Sequence, residues 1–361
     1  MDNNIFSFAT KELSQDAVIC WMLNWIKYPN SELYNLSKEM FHLLGVEDVD
    51  ANQEITIDRQ LNKADIVVTL HGQKQILIIE DKVYSSEHGN QIEEYAKYFR
   101  ELSHQKEHIK NNTDEPYIVK TVYFKTGYYY DADKLVIADV TINAAQFYNI
   151  ISNQKYKNIS EILDAFVEHL KGIMEYYEEY GDYRKKYKEG GYYISGETIA
   201  QHNLMRTIFP EDNWDKTTEI FKVRTGTSSG RPWTETDICG KIYHKESEDY
   251  YRFFWRIDTN NKGPYLSLRL YDWFDKKNES NKNRHVEIYD IYVKNSKNVF
   301  EKLKDKIDLC WDDVKEGYRG NYVEVSLFTI NLTDYLQNWD EKGEKLIKDV
   351  NIITESFLSE I

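Results

Sequence analysis

The sequence predicts two domains: an α/β domain over residues 1–183, and an α+β domain over residues 201–361, with 184–200 as the linker. Three patterns predict this. Two runs rich in β-branched and apolar residues, ADIVVTL and QILIIEDKV, flank the polar segment HGQK and its glycine, which is the pattern of a β-hairpin. Helical and strand-like periodicities alternate through the first half of the chain. Beyond Trp233 the sequence changes to aromatic-rich alternating runs, which suit an antiparallel sheet.

In chain order, Thr10 is an expected N-cap, and Leu13, Ala17, Cys20 and Trp21 recur at helical spacing, so a helix is predicted from about Lys11 to Ile26. QEITID is the first expected strand, the hairpin supplies the second and third, EHGNQIEEYAKYFREL is a helix, and YIVKTVYFKTG is the next strand. ISEILDAFVEHLKGIMEYYEEY closes the first domain as a helix, and GDYRKKYKEGGYYISGE gathers the glycine, tyrosine and charge of a linker. In the second domain ETIAQHNLMRTIF, NVFEKLKDKIDLCW and LTDYLQNWDEKGEKLIKDVNIITESFL are expected helices. KIYHKE, YYRFFWRI, PYLSLRLYDWF, HVEIYDIYV and NYVEVSLFTINL are expected strands.

The hairpin concentrates charge. Alternation of side chains along a strand puts Glu80 and Lys82 on one face and turns Asp81, taken as structural, to the other. Asp65 reaches the same face from the neighbouring strand. Two carboxylates about 5 Å apart repel by roughly 3 kcal/mol at an effective dielectric near 20, so a cation is expected between them. A hard divalent ion, Mg²⁺ or Mn²⁺, suits oxygen ligands from Asp65 and Glu80, with water and a phosphate oxygen completing its shell. Such an ion would activate a water for phosphodiester hydrolysis, while Lys82 would orient that water or offset transition-state charge. A structural salt bridge at a strand end is the competing explanation of the same three residues.

The pattern Asp65, then Glu80-Asp81-Lys82, resembles the motif of the PD-(D/E)XK nuclease superfamily, with Ala64 where that motif has proline. Gln91-Ile92-Glu93-Glu94-Tyr95 resembles the Q-x-x-x-Y motif of its RecB-like branch, and Gln91 and Tyr95 share a helix face. The resemblance covers the first half of the chain. It implies a restriction-endonuclease-like αβββαβ core, a central mixed sheet flanked by helices. It also implies that Glu12 adds a carboxylate to the metal site and that Gln91 and Tyr95 hold the substrate strand or the catalytic groups. The expected partner is nucleic acid, with DNA ahead of RNA, in bacterial nucleic-acid processing or anti-phage defence. A binding or assembly module that keeps the fold without turnover is the rival expectation.

The formal charge of −15 is uneven: 17 Lys and Arg face 29 Asp and Glu in residues 1–180, against 29 and 32 in the remainder. Candidate phosphate contacts are Lys63, Arg184 to Lys188, and Lys276, Lys277, Lys282 and Arg284. Tyr250, Tyr251, Phe253, Phe254, Trp255, Tyr271 and Trp273 alternate with Arg252, Arg256 and Arg269, either as a platform for bases or as core. Three cysteines without a C-x-x-C pair suit reduced thiols and a cytoplasmic protein, and no secretory signal or membrane span is expected. The second domain is expected to serve recognition or assembly, including homo-oligomerisation. Scattered histidines argue against zinc, and the missing G-x-x-x-x-G-K-[ST] loop argues against an ATP motor.

Overall fold

The computed structural model describes residues 4–8, 12–86, 90–104, 116–181, 198–228, 231–243, 249–260, 263–273, 279–311 and 323–361. The chain divides into two compact units, Met1–Glu178 and Glu179–Ile361. No described helix is long and apolar enough to cross a membrane.

The first unit is α/β. In chain order it comprises α1 (Glu12–Asn24), α2 (Tyr34–Leu43), β1 (Ile55–Leu61), β2 (Ala64–Leu70), β3 (Gln75–Lys82), α3 (Gln91–His104), β4 (Ile118–Lys125), β5 (Val140–Asn143), α4 (Ala144–Ile151) and α5 (Glu161–Gly181). The five strands lie in the order β1-β2-β3-β4-β5. The first three are antiparallel neighbours, and β3, β4 and β5 run parallel. Parallel strands need cover on both faces. Every residue of β3 is accordingly buried. On one face Ile66, Val68, Leu77, Ile79, Val122 and Phe124 pack with the apolar sides of α1, α2, α4 and α5. On the other, Val67, Ile76 and Ile78 meet Ala96 and Phe99 of α3.

Two close approaches shape the end of the sheet where β3 stops. The β1–β2 hairpin closes through Asn62 and Lys63, both with positive φ (52° and 76°), as a type I′ turn requires. Beyond β4, a Cβ on Gly127 would lie 1.6 Å from the Val83 carbonyl oxygen, so only glycine lets the chain leaving β4 pass against the chain leaving β3.

The second unit comprises α6 (Thr198–Ile208), β6 (Val223–Ser228), β7 (Arg231–Asp237), β8 (Ile242–Tyr243), β9 (Tyr250–Asn260), β10 (Gly263–Trp273), α7 (Glu279–Leu303), β11 (Cys310–Trp311), β12 (Val323–Asn331), α8 (Thr333–Gln337) and α9 (Trp339–Leu358). Its seven described strands form an antiparallel sheet in the order β11-β12-β10-β9-β7-β6, with β8 beside β9. Side chains of α6, α7, α8 and α9 cover one face.

Two sequence expectations are corrected here. HVEIYDIYV is not a strand but part of α7: its buried residues His285, Tyr289 and Val293, continued by Ser296, Val299 and Leu303, recur every three or four positions. That is the period of a helix face and not of a pleat. NVFEKLKDKIDLCW is helical only to Leu303, and Cys310–Trp311 joins the sheet as β11.

Candidate metal and phosphate site

The β2–β3 register pairs Ile66 with Ile79, which carries Asp65 to the level of Glu80 on the neighbouring strand. Asp65 shares the sheet face of Val67, while Glu80 and Lys82 share that of Ile76 and Ile78, so all three point to the α3 side. The Lys82 ammonium lies 3.6 Å from Asp65 Oδ2 and in direct contact with Glu80 Oε1. Glu80 is 2% exposed, Lys82 10% and Asp65 20% at the side chain, so the cluster deepens from Asp65 inward. Burial strengthens each of these interactions and makes the surplus negative charge costly. Among the described residues the cluster sets two carboxylates against one ammonium.

Asp65 is held at both oxygens. Its Oδ2 accepts the main-chain N–H of Asp81 at 3.0 Å, and its Oδ1 accepts the Gln60 amide at 3.2 Å. From α3, Gln91 Nε2 donates to the Tyr95 hydroxyl at 3.4 Å. Burial raises the Tyr95 phenol above its ordinary value, with the nearby Glu80 and Asp65 carboxylates adding to the shift. Gln91 and Tyr95 are thus brought to the same charge cluster as the hairpin residues. Glu12 is the first residue of α1, and its side chain lies outside the described part of the structure.

Asp81 is 1% exposed on the opposite face and belongs to a second carboxyl cluster. Gln15 of α1 donates to Asp81 Oδ1 at 2.6 Å and accepts from Thr126 Oγ1 at 2.8 Å, tying α1 to the ends of β3 and β4. Burial first, and the neighbouring Asp16 carboxylate second, push the Asp81 carboxyl well above the usual carboxylate range. Two acids buried side by side disfavour each other's ionisation, which adds to the effect of burial on Asp81. Arg59 stands 3.8 Å from Asp16 Oδ2.

The next strand carries a cluster that sequence reasoning did not single out. Lys125 is the register partner of Lys82, is fully buried, donates to the Ser85 carbonyl at 2.5 Å and lies 3.9 Å from Asp133 Oδ1. Tyr123 donates its hydroxyl to Asp133, whose other oxygen accepts the Tyr130 N–H at 2.8 Å. The available signal was spacing: Tyr123 and Lys125 repeat, one strand over, the alternate placement of Glu80 and Lys82.

In the second unit the aromatic and arginine run splits by parity. Tyr251, Phe253 and Trp255 enter the core under the helices. Arg252, Phe254, Arg256, Arg269 and Tyr271 occupy the other face, where the guanidiniums are bound to carboxylates. Arg252 meets Glu235 at 2.9 Å and Asp237 at 2.8 Å; Arg224 meets Asp237 at 2.6 Å; Arg256 meets Asp258 at 3.1 Å and Glu324 at 3.0 Å; Arg269 meets Glu324 at 2.5 Å and also Asp258. Trp273 and Tyr250 stack at one end of this face, 5.9 Å between ring centres. Arg184 to Lys188, Lys276, Lys277 and the Lys282 side chain lie outside the described residues.

Among the described residues no group of three or more His, Cys, Asp or Glu side chains converges as a metal cage. Mg²⁺ is commonly held by one or two carboxylates plus water and phosphate oxygens. The donors among the described residues, two carboxylates with Lys82 beside them, match that requirement in number and chemistry. No protein-family model, curated protein or solved structure matches the chain.

Proposed function

We propose that this chain is a divalent-cation-dependent phosphodiesterase that hydrolyses nucleic acid, with DNA as the expected substrate. One observation carries the reading: Asp65, Glu80 and Lys82 converge on one face where β3 ends, with Tyr95 of α3 beside them. The sheet order, antiparallel through β3 and then parallel, supports the same reading. Asp65 and Glu80 would hold Mg²⁺ or Mn²⁺, which supplies a Lewis acid for the phosphate and lowers the pKa of a bound water. Lys82, already between the acids, donates hydrogen bonds to the attacking water or to the phosphoryl oxygens as negative charge develops. The Tyr95 hydroxyl, fixed by Gln91, offers a neutral donor to a strand held along α3. Burial of Glu80 and Lys82 excludes bulk water and makes each contact stronger than its surface counterpart.

A second reading has its own observation. The Lys82 ammonium occupies the space between the carboxylates that a metal ion would share. A purely structural ion pair in a non-catalytic module would have the same contacts. The deciding experiment incubates the intact protein with linear, circular and single-stranded DNA and with RNA, with and without Mg²⁺ or Mn²⁺, beside Glu80→Ala. Cleavage that needs both the ion and Glu80 supports the enzyme. Absence of cleavage on every substrate, together with lower stability of metal-free Glu80→Ala, would establish the structural pair.

A further inference from the structure

We propose that Gln60 is a positioning residue for Asp65, fixing the orientation in which that carboxylate meets a divalent ion. Because Asp65 acts as a metal ligand only on the reading given above, this role rests on that reading.

Three independent features single out Gln60. The β1–β2 register pairs Arg59 with Ile66 and Leu61 with Ala64, so Gln60 and Asp65 both fall between these two pairs, where the ladder skips a step. Its amide donates to Asp65 Oδ1 at 3.2 Å while the Asp81 N–H takes Oδ2, and the two donors together define the plane of the carboxylate. The third feature is the backbone. Gln60 has φ +53° although it is not part of the two-residue turn at Asn62 and Lys63. Glycine adopts that conformation freely and asparagine often does, whereas glutamine pays a steric penalty there. The side chain is exposed, so water could satisfy its amide in any rotamer, and no apolar burial compensates the strain. What the unfavourable backbone achieves is an amide aimed at Asp65. Strain held beside a charge cluster is the pattern expected of a functional constraint.

The chemistry explains the benefit. A carboxylate with one oxygen engaged by an amide and the other by a main-chain N–H cannot rotate to chelate at random, and its Oδ2 stays 3.6 Å from the Lys82 ammonium. Hydrogen bonds of this kind on metal-binding carboxylates raise metal affinity, and their loss typically lowers it by about 10- to 100-fold. Gln60 does not touch the substrate or the reacting atoms in this role.

The test is calorimetric titration of Mn²⁺ into the full chain and into Gln60→Ala and Gln60→Gly, each first checked for a cooperative thermal transition. Glycine relieves the strain and removes the amide, so the two effects separate. The expected result is weaker Mn²⁺ binding in both variants, by about 10- to 100-fold, with cleavage returning to the wild-type rate at saturating Mn²⁺. A structural fault in the hairpin would instead lower the rate at every Mn²⁺ concentration, and would overturn the assignment. So would wild-type affinity in Gln60→Gly, since the backbone rather than the amide would then be what matters. If the unaltered protein bound no Mn²⁺, the metal-dependent reading would fail and the role of Gln60 with it; unchanged affinity in both variants would remove Gln60 alone.

Discussion

Each sheet of this chain has a face that gathers acidic and basic side chains, the α3 face of the first and the face opposite the helices in the second, yet the two faces settle the resulting charge differently. On the face of the second sheet away from its helices, Arg224, Arg252, Arg256 and Arg269 meet Glu235, Asp237, Asp258 and Glu324, four cations against four anions among the described residues. In the first sheet, among the described residues, the two acids Asp65 and Glu80 have the one ammonium of Lys82 between them. A closed set of pairs has nothing to gain from a further ion. A set with one anion in excess gains most from a cation, and burial raises that gain. The same arithmetic weighs against phosphate binding by the arginine face, because an arriving phosphate would have to displace a carboxylate from each guanidinium.

The strongest test of this contrast is catalytic. Glu80→Ala or Asp65→Ala should abolish metal-dependent cleavage, and Lys82→Ala should lower it by about 10²- to 10³-fold or more, the usual effect of removing a charge-stabilising donor. Metal-free Glu80→Ala should be as stable as the unaltered protein or slightly more so, because one of two repelling acids is gone. Single-turnover cleavage and metal-free thermal unfolding read the two halves separately. Retained cleavage with a clear drop in stability would put this cluster in the same structural class as the arginine face.

A stability comparison comes next in size. Arg252→Met strips Glu235 and Asp237 of a shared partner and should cost about 3 kcal/mol, as expected when one member of a buried ion pair is removed. Lys82→Met likewise leaves Asp65 and Glu80 facing each other. The two variants should part company when Mn²⁺ is added: millimolar ion should restore much of the stability of Lys82→Met and none of that of Arg252→Met. Equal insensitivity to Mn²⁺ would mean that the first cluster is as closed as the second.

The contrast also explains what the sequence could and could not disclose. The β2–β3 hairpin was legible because strong alternation and a glycine turn are local, and the shared face of Glu80 and Lys82 follows from the pleat alone. The α/β character of the first half and the antiparallel strands of the second were legible from periodicity. β6 and β7 were missed: VRTGTS and RPWTETD are dominated by Thr, Gly, Pro and charge, and the burial of Thr234, Glu235 and Thr236 depends on cross-strand neighbours. Glu235 can be buried because Arg252 pairs with it from 17 residues away, and Arg256 reaches Glu324 across 68. No window of sequence contains such a partner. The α7 segment misled for the opposite reason, since its β-branched and aromatic density outweighed a helical spacing visible only over several turns. At the candidate site, Gln15, Gln60 and Lys125 escaped notice because their significance lies in what they touch, not in a motif.

The smallest expected effect concerns Asp81, which backs the metal cluster from the other face. Its carboxyl is raised in the folded protein, so between its ordinary value of 3.8 and the higher folded value the native state holds a proton that the unfolded chain has lost. Stability must therefore fall as pH rises through that window, by at most about 1.4 kcal/mol per pH unit, and the loss is absent below the unfolded value. Asp81→Asn mimics the uncharged acid: its carbonyl can accept from Gln15 and it brings no charge against Asp16, while the main-chain N–H to Asp65 is untouched. The variant should match the unaltered protein near pH 4 and become progressively more stable than it toward neutrality. Thermal unfolding across pH 4 to 8 measures the difference. A constant offset between the two proteins would mean that the Asp81 carboxyl is not raised in the folded state, and that the second cluster on this sheet is as fully compensated as the arginine face.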